Sequence, residues 1–361
     1  MTQGASSEIA GLSSKDSRWQ RLAPIVTLIF LAPFVAEVLS GATRLSFIFV
    51  LIPEMMVWGC GTLLIRDIVR RWQGGWTSML CLGLALAVAE EFIIQQTSLA
   101  PLAWLPSPAY GRAFGINLVY FLFMLGFESV WVVLVPVQLT ELIFPDRREK
   151  PWLKKSGLIV SSFVFLAGSF FAWFLWTQIA RPKTFHVPKY QPPFFLILLG
   201  ILLIITLALV AYALRHVGQN ASSREMSNSS QSIPTKRPLS PWVVGLVPLF
   251  FGFPWYLLMT LIFGPRRNIP IAIPLLVGLL WAAFAYFVIQ RCAASSQWTD
   301  IHSWVLVSST MLVSMLAGFG GSDSWSRADY YGKVVLNLLA VLGLILLLVK
   351  IIHRSKQQPG T

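Results

Sequence analysis

Charge is what this sequence has least of. Only 12% of its 361 residues are Asp, Glu, Lys or Arg, against 56% hydrophobic. A soluble protein of that length needs more polar side chains to cover its surface, so a soluble globular class is excluded. Cysteine is scarce as well. Cys60, Cys81 and Cys292 form neither a disulfide framework nor a Cys-x-x-Cys metal pair, and they read as small packing residues. Histidine is limited to His186, His216, His302 and His353, and no His-Glu-x-x-His occurs. The imidazole ligands of a usual zinc hydrolase are missing, so no metal site is assigned. His302 reads as structural or interfacial. No P-loop, Rossmann fingerprint or nucleophile elbow is present, and the Gly59-Cys60-Gly61 triplet lies inside an apolar run where it reads as packing. No cofactor follows from the residues.

What is there is a succession of long apolar runs. A bilayer core about 30 Å thick takes about 20 helical residues to cross. Runs of that kind fall at 22–41, 45–66, 77–96, 114–143, 157–180, 193–215, 242–263, 270–291, 303–320 and 333–352. The expected fold class is all-α, a polytopic transmembrane helical bundle of about ten spans. Residues 1–21 are polar and lead to no small-residue cleavage site, so the first run is expected to be a retained helix rather than a signal peptide.

The net charge of +13 invites a nucleic-acid reading, but the distribution of the charges argues for topology instead. With the N-terminus in the cytoplasm, inner segments and span ends carry 19 of the 28 Lys and Arg. They include Arg18, Arg21, Arg66, Arg70, Arg71, Arg147, Arg148, Lys154 and Lys155. Such a bias is what the positive-inside rule predicts. Ten spans then put both termini in the cytoplasm of a multi-pass cell-membrane protein. Its implied partner is the lipid bilayer, with no nucleic acid; the residues name no peptide or small-molecule substrate.

Along the chain, the stretch "GQNASSREMSNSSQSIPTKRPLSP" is too polar to bury a core and reads as a flexible linker. The expected organisation is a cytoplasmic tail over 1–21, a six-span region over 22–216, a Ser-rich cytoplasmic linker over 217–241, a four-span region over 242–352 and a tail over 353–361. The two membrane regions show no sequence echo of an inverted repeat. The Pro-rich outer loop "TSLAPLAWLPSPAYGRA" carries Trp104 and Tyr110 and suits the membrane interface or a partial lid. "PDRREKPWLKK" reads as a charged inner turn.

The chemistry lies in glutamates set deep within the first four spans: Glu37, Glu54, Glu90, Glu91 and Glu128. A charge at the bilayer centre costs on the order of 3 kcal/mol, so these residues are expected to avoid lipid and face one another, amide partners or water. Antiparallel threading brings them to similar depths, and one shared polar cluster fits all five. Helical spacing puts Glu91 and Gln95 on one face, and Asn117 and Glu128 within about 20° of each other. Close carboxylates repel, which makes a shared proton the expected arrangement.

The sequence "AEEFIIQ", followed one helix later by the polar residue of "FLFMLGFESVW", resembles the CAAX-protease and bacteriocin-processing membrane family. That family carries a Glu-Glu-x-x-x-Arg motif, a Phe-x-x-x-His motif and a later His with Asn or Asp. Its glutamate is held to activate water inside the membrane. Glu90 and Glu91 match the first two positions, Gln95 stands at the Arg, Glu128 stands near the first His, and the third motif has no counterpart. The segment from "RDIVRRW" to "FPDRREKPWL" also looks like a group of uncharacterised bacterial membrane proteins.

Three functions follow as expectations. In an intramembrane hydrolase, Glu91 or Glu90 is the general base, with Glu128 and Asn117 as ligands or oxyanion partners. In a proton- or cation-coupled transporter the same carboxylates carry the ion, and Glu37, Glu54 and Gln95 line its path. In a non-enzymatic membrane partner or immunity-type protein, the glutamates only hold helices together.

Overall fold

In a bilayer each backbone N–H and C=O must find its partner within the protein, so uninterrupted apolar runs become helices. The computed structural model describes residues 18–102, 110–216, 239–264, 268–295 and 297–357. Among these, ten helices are long and apolar enough to span a membrane. They are α1 (Trp19–Val38), α2 (Leu45–Arg71), α3 (Trp76–Ile94), α4 (Leu118–Ile143), α5 (Lys155–Thr184), α6 (Phe194–Ala213), α7 (Pro241–Phe263), α8 (Ala272–Ala293), α9 (Asp300–Ser324) and α10 (Arg327–Gln357). Each predicted span has its helix. Most of the linker, the N-terminal stretch through residue 17, Trp104 and the last four residues lie outside the described residues.

Two details differ from the sequence reading. The fourth helix starts at Leu118 rather than 114, because a two-residue hairpin loop, Phe114-Gly115, joins strands β1 (Arg112–Ala113) and β2 (Ile116–Asn117). Both loop residues have positive φ, the geometry that matches strand twist in a tight hairpin. Asn117 is therefore not helical, and its helical phasing with Glu128 does not apply. The ninth and tenth helices are also longer than their apolar runs, so Asp300 and Asp329 sit in their first turns.

The helices are not equivalent. In α3 and α4, 61% of the most apolar window is buried, against 11% in α5 and α8. The carboxylate-bearing helices thus form the centre, and α5, α6, α8 and α10 form the shell whose apolar side chains face outward. Glycine allows the closest approaches. A Cβ on Gly59 of α2 would lie 2.3 Å from the Ile29 carbonyl of α1. That carbonyl sits four residues before Pro33, which has no N–H to offer it, so the bare Gly59 backbone packs where a helix bond is interrupted. On α4, the Val132 carbonyl loses its partner to Pro136 in the same way, and the Thr62 hydroxyl of α2 donates to it at 2.9 Å.

Polar locks close both ends of the bundle. At one end Arg66 is fully buried and donates to Glu141 at 3.1 Å and to the carbonyls of Lys150, Arg147 and Arg148 at 2.7, 3.0 and 2.6 Å. Its guanidinium also lies 3.6 Å from the Trp152 ring centre. Arg70 makes bonds to both Glu141 oxygens, while Asp67 accepts from Trp152 N, Leu153 N and Arg71. The turn read from sequence as merely charged is thereby bolted to the end of α2. Arg148 pairs with Asp300 of α9, and Arg354 of α10 reaches the Leu142 carbonyl, so alternating helix ends gather on this side. At the opposite end Asp329 of α10 accepts from Ser46 of α2, and Lys333 donates to the Leu39 carbonyl at 2.6 Å.

Gly59→Ala is expected to destabilise the bundle by about 1–3 kcal/mol, because the new methyl meets backbone rather than a mobile side chain. Gly343→Ala, where nothing lies within 4 Å, serves as the neutral comparison in thermal unfolding in detergent.

Candidate functional site

Each of the deep glutamates lies at a turn where its helix widens from α to π geometry. Glu37 is within the π segment Phe34–Val38, and Glu54 directly precedes Met55–Gly59. Glu90 and Glu91 open Glu90–Ile94, and Glu128 opens Glu128–Leu134. A π turn bonds i to i+5 instead of i+4, which bulges the backbone and re-aims the side chains; such turns concentrate at functional sites. Local sequence accounts for three of the four. Pro33 and Pro53 precede their segments and Pro136 follows its own, each removing an N–H that would hold the α register.

The bulges direct the carboxyls toward a common interior. Glu90 lies within electrostatic range of Glu91, Glu37 and Glu54, and Glu128 within range of Glu91, Glu90 and Glu37. Glu91 and Glu128 are close enough to share a hydrogen bond through one proton. Glu90, Glu91 and Glu128 are 1–2% exposed. Glu37 is the member of the five that keeps some open surface.

Donors are few. Thr43 donates to one Glu54 oxygen at 2.5 Å, and Ser98 to one Glu91 oxygen at 2.6 Å. The second Glu54 oxygen and both oxygens of Glu90 and of Glu128 meet no donor among the described residues. Such an acceptor-only group is costly if every member is ionised and becomes sound once protons are shared between members. None of the salt bridges between described residues reaches these five carboxyls.

Two phenols join the cluster that the sequence reading passed over. Tyr120 lies near Glu91, Glu128, Glu37 and Glu90, and Tyr256 lies near Glu37 with its buried hydroxyl unpartnered. The Trp58 indole N–H is likewise buried without an acceptor. The available signal was a phenol deep in an apolar run, since a buried Tyr hydroxyl needs a partner. Glu141 was passed over too, although it lies inside the fourth run; its place in the Arg66–Arg70 network separates it from the cluster.

The remaining sequence candidates lie elsewhere. The Asn117 amide donates to the Thr97 and Ala100 carbonyls at 3.2 and 2.7 Å and accepts from Arg112 at 3.0 Å. Its hydrogen-bonding groups are engaged in the loop between α3 and α4. Gln95 is half-buried at the end of the π segment of α3, and Glu91 takes the Ser98 hydroxyl rather than the Gln95 amide. Tyr110 donates to the Ile269 carbonyl at 3.0 Å, and burial holds its phenol above the ordinary range, so it remains a donor. His302 caps α9 by bonding Thr299, and it also bonds the Leu239 carbonyl. Among the described residues no three His, Cys, Asp or Glu are arranged to hold a metal ion.

A family model described as an uncharacterized membrane protein family matches residues 26–354, and the chain belongs to that family. No curated protein and no solved structure matches it. The matched span runs from α1 into the last turns of α10 and so includes both the cluster and the arginine network.

Two carboxylates should respond in opposite ways to the same substitution. Glu90→Gln removes an acceptor that lacks donors and is expected to hold or raise the unfolding temperature. Glu141→Gln leaves the buried Arg66 without its counter-charge and Arg70 with only the exposed Glu149, and is expected to cost about 3–5 kcal/mol. Thermal unfolding of both variants beside the unsubstituted chain measures the contrast, and equal destabilisation would break it.

Proposed function

From its membership of a membrane protein family and the cluster at its centre, we propose that the chain is a proton-coupled transport protein. In this reading Glu90, Glu91 and Glu128 form the proton-binding core, with Glu37 and Glu54 on the route to it. The supporting observation is the set of five buried carboxyl oxygens that meet no donor and no cation among the described residues. Carboxyls with so few donors, close together within the membrane, exchange protons among themselves at low cost, because removing one proton leaves a charge shared by neighbours.

Tyr120 and Tyr256 extend the same chemistry, since a phenol both donates and accepts and can relay a proton between carboxyls. Glu37, the one member with open surface, is best placed to exchange with water. The basic end of the bundle, carrying Arg66, Arg70, Arg71 and Lys154, is assigned to the cytoplasm on the positive-inside rule.

The hydrolase implied by the sequence resemblance would draw on the same residues. It is the weaker reading because, at the positions where that pattern has a guanidinium and an imidazole, Gln95 and Glu128 supply neither cation. The Asn117 amide is also committed to the outer loop, so it offers no oxyanion donor.

The test is a pH jump across proteoliposomes containing an internal pH-sensitive dye, with an infrared titration of the carboxylic C=O stretch as the direct reading of proton binding. Wild-type vesicles should acidify faster than empty ones. Glu90→Gln and Glu128→Gln should each slow this by about tenfold or more and remove part of the carboxylic band. A wild-type rate equal to that of empty vesicles, with a band that the substitutions leave unchanged, would refute the proposal.

A further inference from the structure

Between α1, α2 and α5 an open groove of about 850 Å³ runs inward from the arginine-network end of the bundle. That volume is in the range of about 300–1,000 Å³ common for small-molecule sites. Its lining is sorted by depth. Arg21 and Lys154 stand at the mouth, both exposed, while Ile25, Ile29, Met55 and Val164 form the inner walls. The groove follows α1 from Arg21 to Ile29 and α5 from Lys154 to Val164. At 1.5 Å per residue these stretches measure roughly 12–15 Å. Half of a hydrocarbon core about 30 Å thick is about 15 Å, so the groove reaches through one leaflet.

We propose that this groove binds one anionic phospholipid, with its phosphate between Arg21 and Lys154 and an acyl chain along the inner walls. Charge complementarity singles out this occupant. The mouth is cationic, no carboxylate lines it among the described residues, and the groove's remaining length is apolar apart from Ser156 and Ser161. The surrounding surface is positive on balance, with Lys155 beside Lys154, and with Arg147, Arg148 and Lys150 outnumbering Asp146 and Glu149 on the adjoining turn, where Arg148 pairs with Asp300. Trp152, also at the mouth, is an aromatic of the type that sits at headgroup level. An anionic headgroup is attracted to each Lys or Arg near the surface, whereas a zwitterionic one gains little. A soluble peptide would leave the inner walls unmatched, and free phosphate would leave them empty.

One wall of the groove belongs to the helix segment that presents Glu54. Met55 and Met56 face the groove and begin the π turn that Glu54 precedes. Met56 in turn packs against Gly168 of α5, where an added Cβ would lie 2.4 Å from the methionine Cβ. A seated acyl chain would therefore contact the same bulge that sets the position of one cluster carboxyl.

The test is native mass spectrometry of the full chain in detergent with phosphatidylglycerol or phosphatidylcholine, accompanied by thermal unfolding with each lipid and with inorganic phosphate. One phosphatidylglycerol should be retained per chain in preference to phosphatidylcholine, and it should raise the unfolding temperature. The Arg21→Ala/Lys154→Ala pair should weaken phosphatidylglycerol retention by about tenfold or more without affecting phosphatidylcholine. Val160→Trp, an exposed position on the groove wall, should weaken both lipids while leaving the headgroup charges in place. Equal retention of the two lipids would overturn the proposal in favour of non-selective annular contact. A phosphate effect as large as that of the lipid would reduce the site to an ion-binding mouth. A dimer mass with Val160→Trp restoring the monomer would make a second copy of the chain the occupant.

Discussion

Five carboxyl groups gathered among α1–α4, with no ion pair reaching them among the described residues, are the constraint around which the rest of the bundle is arranged. Ionised carboxylates in such a setting repel and are poorly solvated, so the fold tolerates them only by placing them together and allowing protons to be shared. The most buried helices carry them, and the helices with the most outward-facing apolar surface shield them. The π turns belong to the same solution. Each brings a carboxyl off the regular helical phase, and the prolines beside three of them help to prevent relaxation back to α geometry.

The arginine network is the opposite answer to the same problem. Glu141 is as fully buried as the cluster glutamates, yet Arg66 and Arg70 satisfy it, and Arg66 has a partner for every nitrogen. A carboxylate held in that way is fixed in charge and position, which suits an anchor. A carboxyl without donors remains free to take up and release a proton. The two environments lie on the same helices: α2 carries Glu54 near its start and Arg66 near its end, and α4 carries Glu128 in mid-span and Glu141 near its end.

The gross fold was legible because a membrane leaves the chain few options: apolar length alone marks a helix, and all ten helices follow from it. The cluster was legible because a charged residue in such a run stands out against its neighbours, which is how Glu90 and Glu91 draw attention first. Side-chain direction was harder to read. The α period of 100° per residue placed Gln95 beside Glu91 and Asn117 beside Glu128, but a π turn intervenes in the first case and a hairpin in the second. Tyr120 and Tyr256 escaped notice because a phenol passes for an apolar residue in a composition count. The network at the end of α2 was hidden for another reason. "RDIVRRW" and "PDRREKPWLKK" lie more than seventy residues apart, and each looks like an ordinary solvated charge run until folding brings them together.

What distinguishes this bundle is the contrast between its ends and its middle. Arg66 and Asp67 tie the turn before α5 to α2, Arg112 fastens the loop before α4 to the Leu99, Ala100 and Gly115 carbonyls, and Asp329 joins α10 to the start of α2. Donors and acceptors there are well matched, and such networks hold a single arrangement. Had selection for stability alone shaped the centre, Leu or Gln at the cluster positions would have served better than Glu. Breaches of local rules that no nearby partner offsets tend to fall at working sites, where some stability is given up for function. Stiff, satisfied contacts around it confine the charge problem to one carboxyl cluster shared by α1–α4.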